Sequence, residues 1–315
     1  MEQNEITGRL SRRLVCVTGA TGMIGSELVR QLLDAGAQVR VVVRDGAKFN
    51  TLFPDGAVEA IEAPLNATPE LLAAFRGMDV VYHCAAKVSF QQRGDEDLVG
   101  PNVEIAQTVV DACLGAGVGL LVHVSSIAAL GPAQPGGMIT ETCYPETLVG
   151  WSAYGLSKYF SENEVWRGIK TGLRTVIVNP SIVLGPGDWR GSGSAALFAA
   201  LAQGLPVYPP GVMGYVDVRD VAGAMIALSL TPEAVGKRFT LSGANLSYKE
   251  LMAAAARSVG KPAPRWSVGV RTLYAVGFLE KIGSRLTGRT PKFTPGAARA
   301  ACEKTYYDGS LVTRV

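Results

Sequence analysis

Short β-branched runs alternate along the first half of the chain with longer stretches whose apolar residues recur every three or four positions. Leu14-Val-Cys-Val-Thr18 reads as a strand, and Ile24, Leu28 and Leu32 then share one face of a helix over 23–35 that Gly36 ends. Residues 39–43 predict a second strand, 58–61 a weaker third, and 79–84 a fourth whose unbroken apolar character suits a sheet covered on both faces. A helix over 98–116, a strand over 120–125, a helix over 154–170 and a strand over 175–179 continue the series. Such alternation predicts right-handed βαβ units and a doubly wound parallel α/β sheet.

The texture changes after Asn179-Pro180. Gly185-Pro-Gly187 and the stretch 205–214 read as loops, with helices expected over 194–202, 218–230 and 248–259 and a strand over 238–241. The pattern assigns residues 1–185 to the sheet domain, with 215–243 returning to it. Residues 186–214 and 244–315 then form a smaller, partly interleaved substrate lobe.

Composition narrows the class of protein. The 315 residues are 48 % hydrophobic and only 18 % charged, which fits a folded, rather apolar globule and not a disordered chain. A net charge of +3 with scattered Lys and Arg argues against nucleic acid as a partner. Five cysteines without CxxC spacing fit incidental thiols in a reducing compartment, and the polar residues 1–13 carry no apolar signal core, so a cytoplasmic location is expected. No apolar run is long enough to span a bilayer. Residues 266–286, flanked by Arg265, Arg271, Lys281 and Arg285, could lie on a membrane, but a helix packed on its own lobe is the expected outcome.

Thr18-Gly-Ala-Thr-Gly-Met-Ile-Gly25 joins the first strand to the first helix. Gly19, Gly22 and Gly25 allow a tight turn, a close approach to a pyrophosphate and close helix–strand packing, while Thr21, Met23 and Ile24 open the helix whose free N–H groups meet the anion. This is the dinucleotide-binding turn of a Rossmann fold. The second strand ends Val43-Arg44-Asp45, with Lys48 behind it. Arg44 can grip a 2′-phosphate as a planar fork, which favours NADP; NAD, with Asp45 on the ribose, is the alternative.

Tyr154 and Lys158 are four residues apart and share a helix face. A phenol holds its proton too tightly to exchange it readily at neutral pH, and a neighbouring ammonium favours the phenolate, so the pair suits general acid–base work. Ser125-Ser126 ends the fifth strand, where ligands of open α/β sheets bind, and a serine hydroxyl there can steady charge on a substrate oxygen.

Together with Asp79-Val-Val-Tyr-His-Cys-Ala-Ala86, Asn102-Val103, Asn179-Pro180 and Tyr215-Val-Asp-Val-Arg-Asp-Val221, these motifs make the chain resemble the extended short-chain dehydrogenase/reductase family. The resemblance covers nearly the whole chain, and Asn179 to Asp188 looks most like the dihydroflavonol-reductase and 3β-hydroxysteroid-dehydrogenase branch. It implies Ser126 as the catalytic serine with Ser125 as fallback, Tyr154 as proton donor or acceptor, and Lys158 as its partner and ribose ligand. It implies further that Asn102 supports the lysine through a water, that Ala85 and Ala86 pass the cofactor ribose with Lys87 facing the substrate, and that Pro180, Ser181 and Ile182 flank the nicotinamide. Leu65 would lie near the adenine, although Ala63-Pro64-Leu65 stands where the family has an Asp-Leu pair. The family also usually continues past Tyr306–Val315 into a final Leu-Gly turn and helix. Homodimers through the long helices after strands four and five are usual in such families.

The expected activity is hydride transfer between a nicotinamide and a carbonyl/alcohol group of a small, fairly apolar molecule. A nucleotide-sugar epimerase or dehydratase is the alternative, with Arg190, Lys237, Arg238 and Arg265 open as a pyrophosphate clamp. A cofactor-sensing protein is disfavoured because both Tyr154 and Lys158 are present. His83 and His123 lie within strands and read as packed core residues, without a third ligand to make a metal site. Trp151, Trp189, Tyr208 and Tyr215 lie on or beside loops that could face the substrate.

Overall fold

The computed structural model describes residues 3–54, 56, 58–87, 98–187, 201–287 and 295–315. Helix α1 (Gln3–Leu10) precedes β1 (Leu14–Thr18), α2 (Met23–Asp34), β2 (Gln38–Val43), α3 (Gly46–Leu52), β3 (Glu59–Glu62), α4 (Thr68–Phe75) and β4 (Val80–His83). Then come α5 (Val99–Ala116), β5 (Leu120–Val124), α6 (Ala153–Lys170), β6 (Thr175–Pro180), β7 (Ile182–Leu184), β8 (Val207–Tyr208), β9 (Val212–Asp217), α7 (Val218–Ser229) and β10 (Lys237–Leu241). The rest is β11 (Ala244–Ser247), α8 (Tyr248–Ser258), β12 (Trp266–Ser267), α9 (Val270–Thr287) and α10 (Pro295–Ala300).

Seven strands form one parallel sheet in the order β10-β6-β5-β4-β1-β2-β3. The chain winds outward from β1 to β3, crosses back to β4 and winds out the other way. The reversal opens a crevice at the carboxyl ends of β1 and β4, where the Rossmann fold places its ligand. Alternation along each strand feeds two cores. Val15, Val17, Val176 and Val178 face α2 and α7 together with Leu28, Leu32, Val221 and Met225. Cys16, Leu121 and Ile177 face the other way, among Leu71, Val109 and Val165 of α4, α5 and α6. Burying each such large side chain contributes about 1.5–3 kcal/mol, so a two-faced apolar sheet is strongly held in register.

Three features depart from the expectations drawn from the sequence. The polar residues ahead of β1, given no element from the sequence, form α1, because Ile6 and the fully buried Leu10, four residues apart, find cover on the first core. The presumed loop over 205–214 contains β8 and the start of β9. β9 pairs with β7 and β11 in a second, three-stranded sheet, and β8 pairs with β12. Those partners lie far along the chain, which no local pattern reveals. Along 266–286, Trp266, Val270, Tyr274, Phe278 and Leu279 are exposed, while α9 packs against α10.

Among the described residues, no helix is long and apolar enough to cross a membrane. The helix expected over 194–202 falls mostly outside the described residues, as do Trp189 and Arg190. β10 rejoins the large sheet beside β6, and α7 shares the core of α2.

Candidate active site

The glycine turn sits at the crevice. Gly19 holds φ +76°, and a Cβ there would lie 2.6 Å from the Ala85 nitrogen. A Cβ on Gly25 would lie 2.2 Å from the Gly19 carbonyl oxygen, so the first turn of α2 rests directly on the loop. Gly22 is exposed and caps α2 with no side-chain hydrogen bond. The first N–H groups of this twelve-residue helix thus lack a capping side chain, and such an uncapped helix start fits the pyrophosphate of a dinucleotide. Thr21, Met23 and Ile24 are half-buried around it, and Gly187, from the loop after β7, closes on Met23.

At the end of β2, Arg44 is exposed and has no partner among the described residues. The Asp45 carboxylate caps α3 by accepting the Lys48 N–H at 2.9 Å, and Glu62 accepts the Gly46 N–H at 3.3 Å. Leu65 is buried in the second core, beside α4.

At the end of β4, Thr18 Oγ1 and His83 Nδ1 are hydrogen-bonded at 2.7 Å. Burial, with the Lys158 ammonium, pushes the His83 imidazole down to about 3, so it stays neutral. His123, beside it on β5, is driven down chiefly by burial as well. Ala85 and Ala86 follow, half-buried, and Asn102 of α5 fixes the segment. Its Oδ1 accepts the Lys87 N–H at 2.7 Å and its Nδ2 donates to the Lys87 carbonyl at 2.9 Å. Asn102 also reaches Ser157, the neighbour of Lys158, at 3.3 Å. Its direct bonds thus go to the Lys87 backbone and to Ser157.

Helix α6 carries Tyr154, half-buried, and Lys158, buried, one turn apart. The Lys158 Nζ donates to the carbonyl of Val124 at 3.1 Å, which pins the ammonium to the end of β5. Ser126 follows as the cap of a short 3₁₀ turn, its Oγ accepting the Ala128 N–H at 3.1 Å and donating to no described residue. That hydroxyl proton is available to an outside oxygen. Ser125 instead turns inward and donates to Glu162 at 2.6 Å. Pro180 and Ser181 are buried and Ile182 half-buried beside this edge. The crevice therefore brings the glycine turn, Ala85, Ala86, Ser126 and Lys158 to the carboxyl ends of β1, β4, β5 and β6.

A family model for the NAD-dependent epimerase/dehydratase family matches residues 15–241. The chain belongs to this family. It is an enzyme of the extended short-chain dehydrogenase/reductase type, a class that works with a nicotinamide cofactor, and reductases are among its relatives. A Synechocystis protein named as a dihydroflavonol 4-reductase is 31 % identical over 300 residues, 93 % of this chain and 86 % of its own. Cinnamoyl-CoA reductase 1 of Petunia hybrida is 35 % identical over 245 residues, 72 % of each chain. The crystal structure of gox2253 superposes with a TM-score of 0.81 at 28 % identity, covering 96 % of this chain and 92 % of that one.

Sequence reasoning missed the buried Glu162, which binds Ser125, Asn179, Trp166 and Arg238. Its only signal was position: Glu162 continues the Tyr154, Lys158 spacing by one more turn. Arg238, open in the sequence as a pyrophosphate clamp, is 5 % exposed and paired with Glu162 at 2.9 Å, so it cannot reach a ligand. Trp151 packs edge-on against Tyr159 of α6, and Tyr215 is buried.

Proposed function

We propose that this enzyme is an NADP-dependent reductase or dehydrogenase acting on the carbonyl/alcohol group of a small, fairly apolar molecule, with Tyr154 as general acid and base. The observation that carries the reading is the anchoring of Lys158 on Val124, directly before Ser125-Ser126 and one helical turn from Tyr154. Proton donor, cation and hydroxyl donor thereby gather at one strand end, across the sheet from the phosphate cradle.

When bound, a nicotinamide supplies the hydride that a carbonyl carbon takes up. Gly19, Gly22, Gly25 and the start of α2 would hold its pyrophosphate, and Arg44 with Lys48 its 2′-phosphate. Asp45 turns Oδ1 to the Lys48 N–H as the cap of α3, while Arg44 stands exposed at the strand tip, which supports NADP over NAD. Ala85, Ala86, Leu65, Pro180, Ser181 and Ile182 would line the remainder. In reduction, Tyr154 gives its proton to the substrate oxygen, Ser126 Oγ donates a hydrogen bond to that oxygen, and Lys158 offsets the charge left on the phenol. Asn102 keeps the Ala85–Lys87 segment at its fixed height beside the site.

The epimerase reading loses Arg238 to the buried ion pair, and Lys237 opens β10 at the opposite end of the sheet. We further place the enzyme in the cytoplasm, since all five cysteines are unpaired. We take it to be a homodimer through α5 and α6, which light scattering tests. The decisive experiment screens dihydroflavonols, cinnamoyl-CoA and simple aldehydes and ketones with NADPH and NADH, comparing wild type with Tyr154→Phe. Turnover lost with NADPH binding intact supports the assignment; turnover retained in the variant refutes it.

A further inference from the structure

We infer that Glu162, neutralised by Arg238, is the positioning residue that sets the Ser126 segment against the Tyr154–Lys158 face of α6. The inference rests on the function proposed above. Glu162 is 2 % exposed, and its two oxygens receive four donors. Oε2 accepts Ser125 Oγ at 2.6 Å and Asn179 Nδ2 at 2.8 Å; Oε1 accepts Arg238 Nη1 at 2.9 Å and Trp166 Nε1 at 3.2 Å. A carboxylate offers about four lone-pair sites, so this one is saturated. Asn179 Nδ2 also donates to the Ser126 carbonyl at 3.0 Å.

Three consecutive residues are thus tied down. The Val124 carbonyl is held by Lys158, the Ser125 hydroxyl by Glu162 and the Ser126 carbonyl by Asn179, itself bound to Glu162. Tyr154, Lys158 and Glu162 follow one another at four-residue spacing on α6. One helix therefore presents the proton donor and the cation while its next turn grips the peptide that carries the hydroxyl donor.

Arg238 extends the grip to the opposite wall. Its Nε donates to the Glu141 carbonyl at 2.7 Å, its Nη2 to the Cys143 carbonyl at 3.2 Å, and its guanidinium lies 4.3 Å from the Tyr144 ring centroid. The Cys143 carbonyl also accepts the Gly131 N–H, just beyond the Ser126 turn. A buried ion pair is weak evidence for stability alone, and its best-attested use is to select one arrangement among several. Here the arrangement selected is the height of Ser126 relative to Tyr154.

The amide at position 162 cannot reproduce this. In Glu162→Gln the side-chain nitrogen faces one pair of donors. If it faces Ser125 and Asn179, the serine hydroxyl can rotate to accept, but Asn179 must turn its amide over and release the Ser126 carbonyl. Ser125→Ala tests the same anchor with the ion pair intact, and Ser125→Thr restores the hydroxyl.

Three readouts are taken on the full chain: the NADPH dissociation constant, kcat with the best carbonyl compound of the screen, and amide deuterium exchange. In Ser125→Ala and Glu162→Gln, NADPH affinity is expected within about twofold of wild type. A displacement of the hydroxyl donor of about 1 Å is expected to lower kcat about 10–100-fold. Exchange over residues 124–131 rises about tenfold, while residues 18–25 do not change. Ser125→Thr recovers most of kcat. Wild-type kcat and unchanged exchange over 124–131 in Ser125→Ala overturn the inference, whether or not Glu162→Gln folds. If no carbonyl compound is turned over, the function proposed above fails, and the exchange pattern still decides the anchor.

Discussion

Replacing Gly22 and Gly25 by alanine should separate cofactor affinity from stability, because the two glycines are required for different reasons. At Gly25 the added Cβ would sit 2.2 Å from the Gly19 oxygen, 2.7 Å from the Gly19 carbonyl carbon and 3.1 Å from the Ala20 Cα, all backbone atoms. Non-bonded heavy atoms rest about 3.5 Å apart, so loop and helix must part by roughly 1 Å. Overpacking of that kind costs about 1–3 kcal/mol. With about 2–4 °C of melting temperature per kcal/mol in large domains, Gly25→Ala should melt about 2–12 °C lower.

Gly22 differs. Its φ of −91° suits any residue, and its Cβ meets the Gly19 oxygen only at 3.3 Å. Melting should fall by less than about 2 °C, under 1 kcal/mol on the same scale. The new methyl, however, projects from an exposed residue at the mouth of the cradle. It should weaken NADPH by about tenfold or more, the loss of about 1.4 kcal/mol. Scanning fluorimetry and NADPH fluorescence titration read the two effects separately. Wild-type NADPH affinity in Gly22→Ala, or wild-type melting in Gly25→Ala, would overturn these separate roles for the two glycines.

Other consequences are equally accessible. If Arg44 grips the 2′-phosphate as proposed, Arg44→Ala loses a charge-assisted contact worth about 1.5–3 kcal/mol, so the NADPH dissociation constant should rise about 10–150-fold and that for NADH by less than about twofold; equal losses would remove Arg44 from the 2′-phosphate. Acid should destabilise the fold through its buried imidazoles. His83 titrates near 6.5 when unfolded and is held at about 3 when folded, so its contribution is complete above pH 6.5 and is lost as pH falls toward 3. The slope approaches about 1.4 kcal/mol per pH unit, His123 adds in the same direction, and His123→Leu should flatten the melting-temperature profile between pH 7 and 5.

The parallel sheet was legible because its strands, buried on both faces, announce themselves as apolar runs. β2, β4, β5 and β6 lie within a residue or two of their expected bounds. The glycine turn and the Tyr154, Lys158 pair were legible because their spacing is local. What escaped was everything that pairs across long separations. β8, β9, β11 and β12 are two to six residues long and defined only by distant partners. Arg238 looked like a free cation because nothing in its neighbourhood names Glu162, 76 residues earlier, as its counter-ion. Asn102 shows an intermediate case. Its place beside the site followed from the family pattern, while its hold on both backbone groups of Lys87, 15 residues away, is set by the fold.

The return of β10 to the edge of the sheet bears on how the enzyme is made. Residues 1–185 contain the glycine turn, Ser126, Tyr154 and Lys158, yet during synthesis they wait for the guanidinium that neutralises Glu162. The ribosome must first deliver β7, β8, β9 and α7. Until residue 238 emerges, a carboxylate destined for the interior has no cation, and removing one partner of such a pair costs about 3–5 kcal/mol. The nascent nucleotide-binding half can therefore collapse early but completes its active site late. For the same reason residues 1–185 should not hold that geometry as an independent module: β10, which carries Arg238, completes their sheet from beyond β9 and α7.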